Sequence, residues 1–431
     1  MKNLMRTLLP ALAFWAASLP VAAQRHVGGD VSLLKAYEDK GVAYVGQDGN
    51  ATGPLLPYLK RACGMNTMRV RLFHNPANAS SEARGQGVFQ DLDYVKALGK
   101  EIKDAGLDFM LDFHYSDTWA DPSNQWTPQA WLNLTDAALE DSVYNYTAQS
   151  LQALAAAGAT PDFIQIGNEV SYGFLWGPQG GASPKRYYAG QSANRVRFTR
   201  LLSRAASACR AVCPRAKIIL HTERVANPAY LVQFYRDMDD AGVDYDIIGT
   251  SYYSYYHGLL PQLSTALRAI EAYSLKDIMV VETGYYHAWQ PASVDFDYSA
   301  TFPVSADGQK AFTQALVDTL AHHPRVTGLF WWEMETNDGE GTAWNAQHVL
   351  DGWYNAGLVD NATGCLLPAA YVMKDFLGTS TGMRPATSAR PASVAANGWY
   401  TPQGVALSTS PAATSTPPGL YIHQGRKVVV K

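Results

Sequence analysis

Between residues 40 and 335 the chain repeats one pattern: a short apolar run of β-forming residues, then a longer stretch with helical period. The runs are VAYVG (42–46), TMRVRLF (67–73), DFMLDFH (108–114), DFIQIGN (162–168), KIILH (217–221), YDIIGTSYY (245–253), DIMVVET (277–283) and VTGLFWWE (326–333). Helical patterns such as DLDYVKALGKEIKDAGL (91–107), NRVRFTRLLSRAASACRAV (194–212) and QKAFTQALVDTLAHH (309–323) lie between them. Near-continuous apolar runs alternating with helices specify parallel strands covered on their outer face. Eight such units predict a single (β/α)8 TIM barrel of the α/β class. The alternative is a doubly wound open sheet, but no Gly-x-Gly-x-x-Gly loop follows any of the runs.

The segments flanking this core read differently. Residues 1–23 combine Lys2 and Arg6, an apolar run from Leu8 to Leu19 and the small residues Val21, Ala22 and Ala23 before a mature start near Gln24. That pattern predicts a secretory signal peptide and an exported protein, secreted, periplasmic or held at the cell surface. It is too short and wrongly flanked for a membrane span, and no other stretch is long and apolar enough for one. The barrel is expected over 24–378, a Ser/Thr/Pro/Ala-rich linker over 379–398 and a short tail with β-like pieces over 399–431. In an exported chain the four cysteines, Cys63, Cys209, Cys213 and Cys365, are free to pair or to stay reduced. A local Cys209–Cys213 bridge is open from their four-residue spacing. Zinc is not expected, because no histidine stands nearby at ligand spacing.

Charge narrows the class of partner. The net charge is −4, with 17% charged residues and no basic cluster, which speaks against nucleic acid and anionic membranes. Aromatic residues reach 12%, including 25 Tyr and 11 Trp, so a neutral ligand with stacking faces, such as a sugar, is compatible.

In a TIM barrel the working groups sit where strands end at the C-terminal face. The fourth run ends in Gly167, Asn168 and Glu169, and the seventh carries Glu282 near its end. A carboxylate at the mouth of an apolar strand is costly unless paired or used. Two of them across a sugar-sized opening match the requirement of glycoside hydrolysis for one protonated and one ionised carboxyl. Asn168 offers a neutral donor for a sugar hydroxyl. Arg69 and Arg71 share one face of the second run, and either could hold a carboxylate ionised. His114 closes the third run, Asp117 and Trp119 follow it, Tyr253 closes the sixth and Trp332 lies at the end of the eighth, all candidate sugar contacts.

With those residues in place, the chain resembles glycoside hydrolase family 53, the endo-β-1,4-galactanases of clan A. The resemblance rests on GGDVSLLKAYEDKGVAYV (28–45), CGMNTMRVRLFHNP (63–76), LDFHYSDTWADPSNQWTPQAW (111–131), PDFIQIGNEVSYGFLW (161–176), KIILH (217–221), DYDIIGTSYYSYYHG (244–258) and IMVVETGYY (278–286). It implies a retaining enzyme with Glu169 as general acid/base and Glu282 as nucleophile, Asn168 holding the sugar 2-hydroxyl and Arg69 supporting Glu282. The implied substrate is the β-1,4-galactan of type I arabinogalactan, a pectin side chain, cut internally by a monomer without a cofactor. Some bacterial members hold a structural calcium; Asp295 and Asp297 are the candidate contributors here, and no ligand set is carried over. Phe73 stands where the family often has Trp, and VSYGFLW after Glu169 departs from the usual turn. A retaining pair implies carboxyl groups about 5–5.5 Å apart, with Glu169 titrating above Glu282. Two rivals are a galactan-binding protein without activity, which has no need of both glutamates, and a clan relative acting on mannan or glucan.

Overall fold

The computed structural model describes residues 24–289, 294–337 and 355–378, together with the backbone of four short strands between 399 and 430. The expected signal peptide (1–23) and linker (379–398) lie outside the described residues. The chain divides into two units, of which the larger carries the barrel.

Eight parallel strands close into a barrel in chain order. They are β1 His26–Asp30, β2 Thr67–Leu72, β3 Asp108–Phe113, β4 Phe163–Ile166, β5 Lys217–Thr222, β6 Ile247–Tyr253, β7 Asp277–Gly284 and β8 Val326–Trp331. The ring is completed by β1, which pairs with β2 on one side and β8 on the other. Strands β2 to β8 coincide with the apolar runs to within one or two residues. The first run does not. VAYVG (42–46) lies outside the barrel, where Val45 makes isolated bridges to Ala51 and Cys365. The true β1 is HVGGD, whose two glycines read as a turn by propensity. Packing reverses that reading. A Cβ on Gly28 would stand 1.7 Å from the Thr67 carbonyl oxygen, and one on Gly29 would stand 2.4 Å from the Met334 sulfur. Only glycine lets β1 approach both neighbours that closely.

The covering helices begin on side-chain caps. Asp91 accepts the Tyr94 N–H ahead of Leu92–Asp104, Thr135 that of Ala138 ahead of Asp136–Ala156, and Ser305 that of Gly308 ahead of Ala306–Ala321. Each oxygen satisfies an amide that the first turn cannot.

Inward-pointing side chains form two storeys. In one they are apolar: Met110, Phe163, Ile219, Ile247, Met279 and Phe330 pack in one buried group. Two residues further along β3, β4 and β5 the same face presents Asp112, Gln165 and His221, all fully buried. The barrel is therefore a packed plug below and a polar chamber above. A register shift between β6 and β7 completes the chamber. Thr250 pairs with Val280, but Ser251 pairs with Glu282, so β7 fits one extra residue. Strict alternation from Met279 and Val281, both in the apolar group, would send Glu282 outward; the bulge brings it beside Ser251.

All four cysteines are free thiols. Cys209 is buried in the helix Arg195–Val212, whereas Cys213 has left it at φ −122°, ψ 65°. In the second unit, β9 Trp399–Tyr400, β10 Ala406–Leu407, β11 Gly419–His423 and β12 Arg426–Val430 form an antiparallel sheet in the order β10-β9-β11-β12. Among the described residues no helix is long and apolar enough to cross a membrane.

Candidate active site

The C-terminal ends of the strands surround a cleft of about 900 Å³. Its lining includes Trp119, Asn168, Glu169, Tyr253, Glu282 and Trp332 from the sequence-derived set. Glu169 reaches it through unusual backbone. After β4, Gly167 turns at φ +100° and Glu169 itself sits in the left-handed region at φ 45°, ψ 51°. A non-glycine residue there costs about 1–3 kcal/mol and persists only where its surroundings impose it. The turn swings Glu169 off the strand axis into the cleft, with Asn168 below it.

Beneath the cleft lies a buried charge network built on β2. Arg69, fully enclosed, meets Asp30 Oδ2 at 3.1 Å, Asp112 Oδ2 at 2.7 Å and Glu282 Oε1 at 2.8 Å. It also donates to Asn168 Oδ1 at 2.9 Å. Of the two arginines on this face, Arg69 is the one that reaches Glu282. Arg71 pairs with Asp30 Oδ1 at 3.2 Å and Glu333 Oε1 at 3.1 Å, and its guanidinium stands 4.6 Å from the Trp119 ring centre. His114 is likewise below the floor, its Nε2 3.1 Å from Asp112 Oδ2 and its Nδ1 accepting from the Ala120 N–H. Asp117 is not part of the cleft lining. Its carboxylate is taken up by His74, Asn78 Nδ2 and the Gln129 N–H, which ties the loop carrying Trp119 to its neighbours.

The two glutamates are linked by one hydroxyl. Ser251 Oγ lies 2.6 Å from Glu169 Oε1 and 3.5 Å from Glu282 Oε2. Behind it His221 places Nε2 2.8 Å from Ser251 Oγ, and its Nδ1 is 2.9 Å from Gln165 Nε2. Burial and the nearby Arg69 keep His221 well below the usual histidine range, so its ring is neutral. The partners then assign the protons: Gln165 donates to Nδ1, Nε2–H donates to Ser251, and Ser251 donates to Glu169 Oε1. Glu282 receives a second hydrogen bond at Oε2 from the Tyr253 hydroxyl at 3.0 Å.

This asymmetry separates the two acids. Burial raises both. Glu169 also faces the charges of Glu282, Glu223 and Asp121, with only the Ser251 bond pulling it back, so it is driven well above the carboxylate range. For Glu282, burial is opposed by Arg69 and by Tyr253, which hold it at about 7. The proton shared by the pair belongs on Glu169 and the negative charge on Glu282.

Several members of the site were not singled out from sequence: Asp30, Asp112, Gln165, His221, Glu223, Ser251 and Glu333. A usable signal was present, since Asp112, Gln165 and His221 each interrupt an apolar run at an inward position. Of the calcium candidates, Asp295 lines the cleft and Asp297 accepts the Ser299 N–H. Among the described residues no group of three His, Cys, Asp or Glu side chains is placed to hold a metal.

Comparison with known proteins agrees with this geometry. The family model described as "Glycosyl hydrolase family 53" matches residues 26–373. The probable arabinogalactan endo-β-1,4-galactanase A of Neosartorya fischeri is 33% identical over 336 residues, covering 76% of this chain and 88% of that protein. The endo-β-1,4-galactanase of Bacillus subtilis is 27% identical over 363 residues, covering 78% and 80%. Among solved structures, the Ignisphaera aggregans GH53 catalytic domain superposes with a TM-score of 0.69 at 30% identity, over 83% of this chain and 97% of that one. A fungal β-1,4-galactanase structure gives 0.67 at 29%, over 82% and 99%. A closed eight-stranded barrel, two unequal glutamates at β4 and β7, and a family match across nearly all of the barrel lead to one assignment: the chain belongs to glycosyl hydrolase family 53.

Proposed function

We propose that this glycosidase is an exported endo-β-1,4-galactanase that cuts the galactan of type I arabinogalactan in pectin by a retaining double displacement. The observation that carries the reading is the Ser251 bridge. Its two distances, laid end to end, fall short of the ~6.5 Å at which inverting spacing begins. That close approach of Glu169 Oε1 and Glu282 Oε2 favours direct attack by Glu282 over activation of a water held between the two acids. The galactan specificity draws on the names of the relatives, and export draws on the basic, apolar and small-residue segments of 1–23. The enzyme works as a monomer without a cofactor.

In the first step Glu282, held by Arg69 and Tyr253, attacks the anomeric carbon while Glu169 protonates the departing oxygen. Ser251 occupies Oε1 of Glu169, which leaves Oε2 as the oxygen that carries the transferable proton. In the second step Glu169 takes a proton from water, and the hydroxide released at the anomeric carbon displaces Glu282. Asn168, fixed by Arg69 and by its Nδ2 bond to the Ala120 carbonyl, lines the cleft beside the reacting sugar.

The direct test is reducing-sugar release from linear β-1,4-galactan, mannan and xylan, with the anomer of the first product followed by NMR. Galactan should be cut internally and the β-anomer should appear first. Preferred release from mannan or xylan would sink the substrate assignment, and an α-product would sink the mechanism.

A pH experiment probes the acid. Activity requires Glu282 ionised and Glu169 protonated, so kcat/KM rises through the Glu282 titration and falls through that of Glu169. Removing the Ser251 bond removes the contact that lowers Glu169. Ser251→Ala should therefore move the alkaline limb to higher pH, with kcat reduced about tenfold. An alkaline limb that stays in place would show that Ser251 does not bear on the acid.

A further inference from the structure

Beyond the pair that does the chemistry, the cleft holds a third buried carboxyl. Glu223 follows β5, the strand next to the β4 that carries Glu169, and lines the cleft. Its Oε1 accepts from Ser171 Oγ at 2.6 Å and lies 3.5 Å from Arg224 Nη1. Its Oε2 is buried without a hydrogen-bond partner, on a side chain 9% exposed. A second cleft-lining residue also carries an orphan. Arg186 also lines the cleft, and its buried Nε–H has no acceptor. That guanidinium is held in place rather than mobile, 4.5 Å from the Trp176 ring centre and 4.8 Å from that of Tyr172. Arg224 is fixed from the other direction, 4.4 Å from the Tyr172 ring centre with a 2.8 Å bond to its hydroxyl.

An unpaired buried acceptor and an unpaired buried donor are each unfavourable, and a ligand recovers that cost by supplying both partners. A sugar hydroxyl does so with one group, since it donates and accepts at once. The position fixes which sugar. Glu169 protonates the leaving oxygen, so residues on its side of the cleavage point face the departing half of the chain. The proposal rests on the galactanase reading above and extends it.

We propose that Glu223 and Arg186 form the binding subsite for the first sugar of the departing chain, Glu223 Oε2 and Arg186 Nε taking its hydroxyl groups while Tyr172 and Arg224 hold the two in register. Neither residue touches the reacting atoms. They act by fixing the leaving sugar so that its glycosidic oxygen meets the Glu169 proton.

The experiment compares two substrates that both need the Glu169 proton and differ only beyond the cleaved bond: linear β-1,4-galactan, and a β-galactobioside with an unactivated phenyl leaving group. For Glu223→Gln, Glu223→Ala and Arg186→Met, kcat/KM on galactan should fall about 10- to 100-fold. The fall on the aryl substrate should be smaller by at least about tenfold, because no sugar sits in the subsite. Thermal midpoints report whether each variant is folded. Equal falls on both substrates in folded variants would overturn the subsite, since the residues would then serve the chemistry. Parental kcat/KM on galactan would overturn it as well. Wild-type enzyme that cuts no galactan would overturn the substrate reading and the subsite together, which separates the two failures.

Discussion

Glu282→Ala is expected to lower kcat on galactan by at least about four orders of magnitude while leaving galactan binding measurable. The size follows from what the side chain does. It is held by both a guanidinium and a phenol, through Oε1 to Arg69 and Oε2 to Tyr253, and it faces Glu169 across a single hydroxyl. Alanine removes the proposed nucleophile and leaves Trp119, Asn168, Trp332 and Glu169 in the lining. Binding and turnover should therefore separate. A small anion such as azide, able to occupy the vacated space and attack from the same face, should restore part of the rate on an aryl galactobioside and yield a glycosyl azide of inverted configuration. Parental turnover in Glu282→Ala would sink the assignment of the nucleophile.

The second large effect concerns stability. Arg69 is fully buried and pairs with Asp30, Asp112 and Glu282 together. Arg69→Met keeps the volume and removes the charge, stranding acids in a low-dielectric chamber at a cost of about 3–5 kcal/mol. The pH dependence distinguishes this cause from lost packing. In the parent, burial pushes Asp112 up, but Arg69 and His114 outweigh it and hold the carboxyl below its usual range. An acid lowered on folding contributes stability that is present at neutral pH and lost as pH falls. Without Arg69 the burial effect on Asp112 is unopposed by it, the folded form prefers the protonated acid, and the sign reverses. The difference in urea stability between parent and variant should thus be largest at pH 7 and shrink towards pH 4. A difference that does not change with pH would mean that packing, not charge, was lost.

Much of this architecture is legible in the sequence. The strands β2 to β8 announce themselves because a strand buried on both faces must be apolar nearly throughout. The strand β1 hides for the opposite reason: its fit depends on having no side chain at Gly28 and Gly29, and glycine carries no strand signal. The glutamates stand out because they interrupt apolar strand ends. That Glu282 points inward could not be read, since alternation sends it outward and only the mismatch between Thr250–Val280 and Ser251–Glu282 corrects it. Likewise, nothing local distinguishes Arg69 from Arg71. Their roles differ because different acids lie opposite, contributed by β1, β3, β7 and the segment after β8.

The pairing of β1 with β8 has a consequence for how the molecule comes into being. As the chain leaves the ribosome, β1 appears first and its second neighbour, Val326–Trp331, appears last of the eight. Until then both β1 and β7 present open edges, the kind of surface that recruits foreign strands. Glu282 and Glu333 also arrive late, so the arginines of β2 wait through most of synthesis for their full set of counter-charges. Ring closure and charge balance are thus completed by the same late segment, and an unfinished chain has neither a sealed wall nor a working pair of acids.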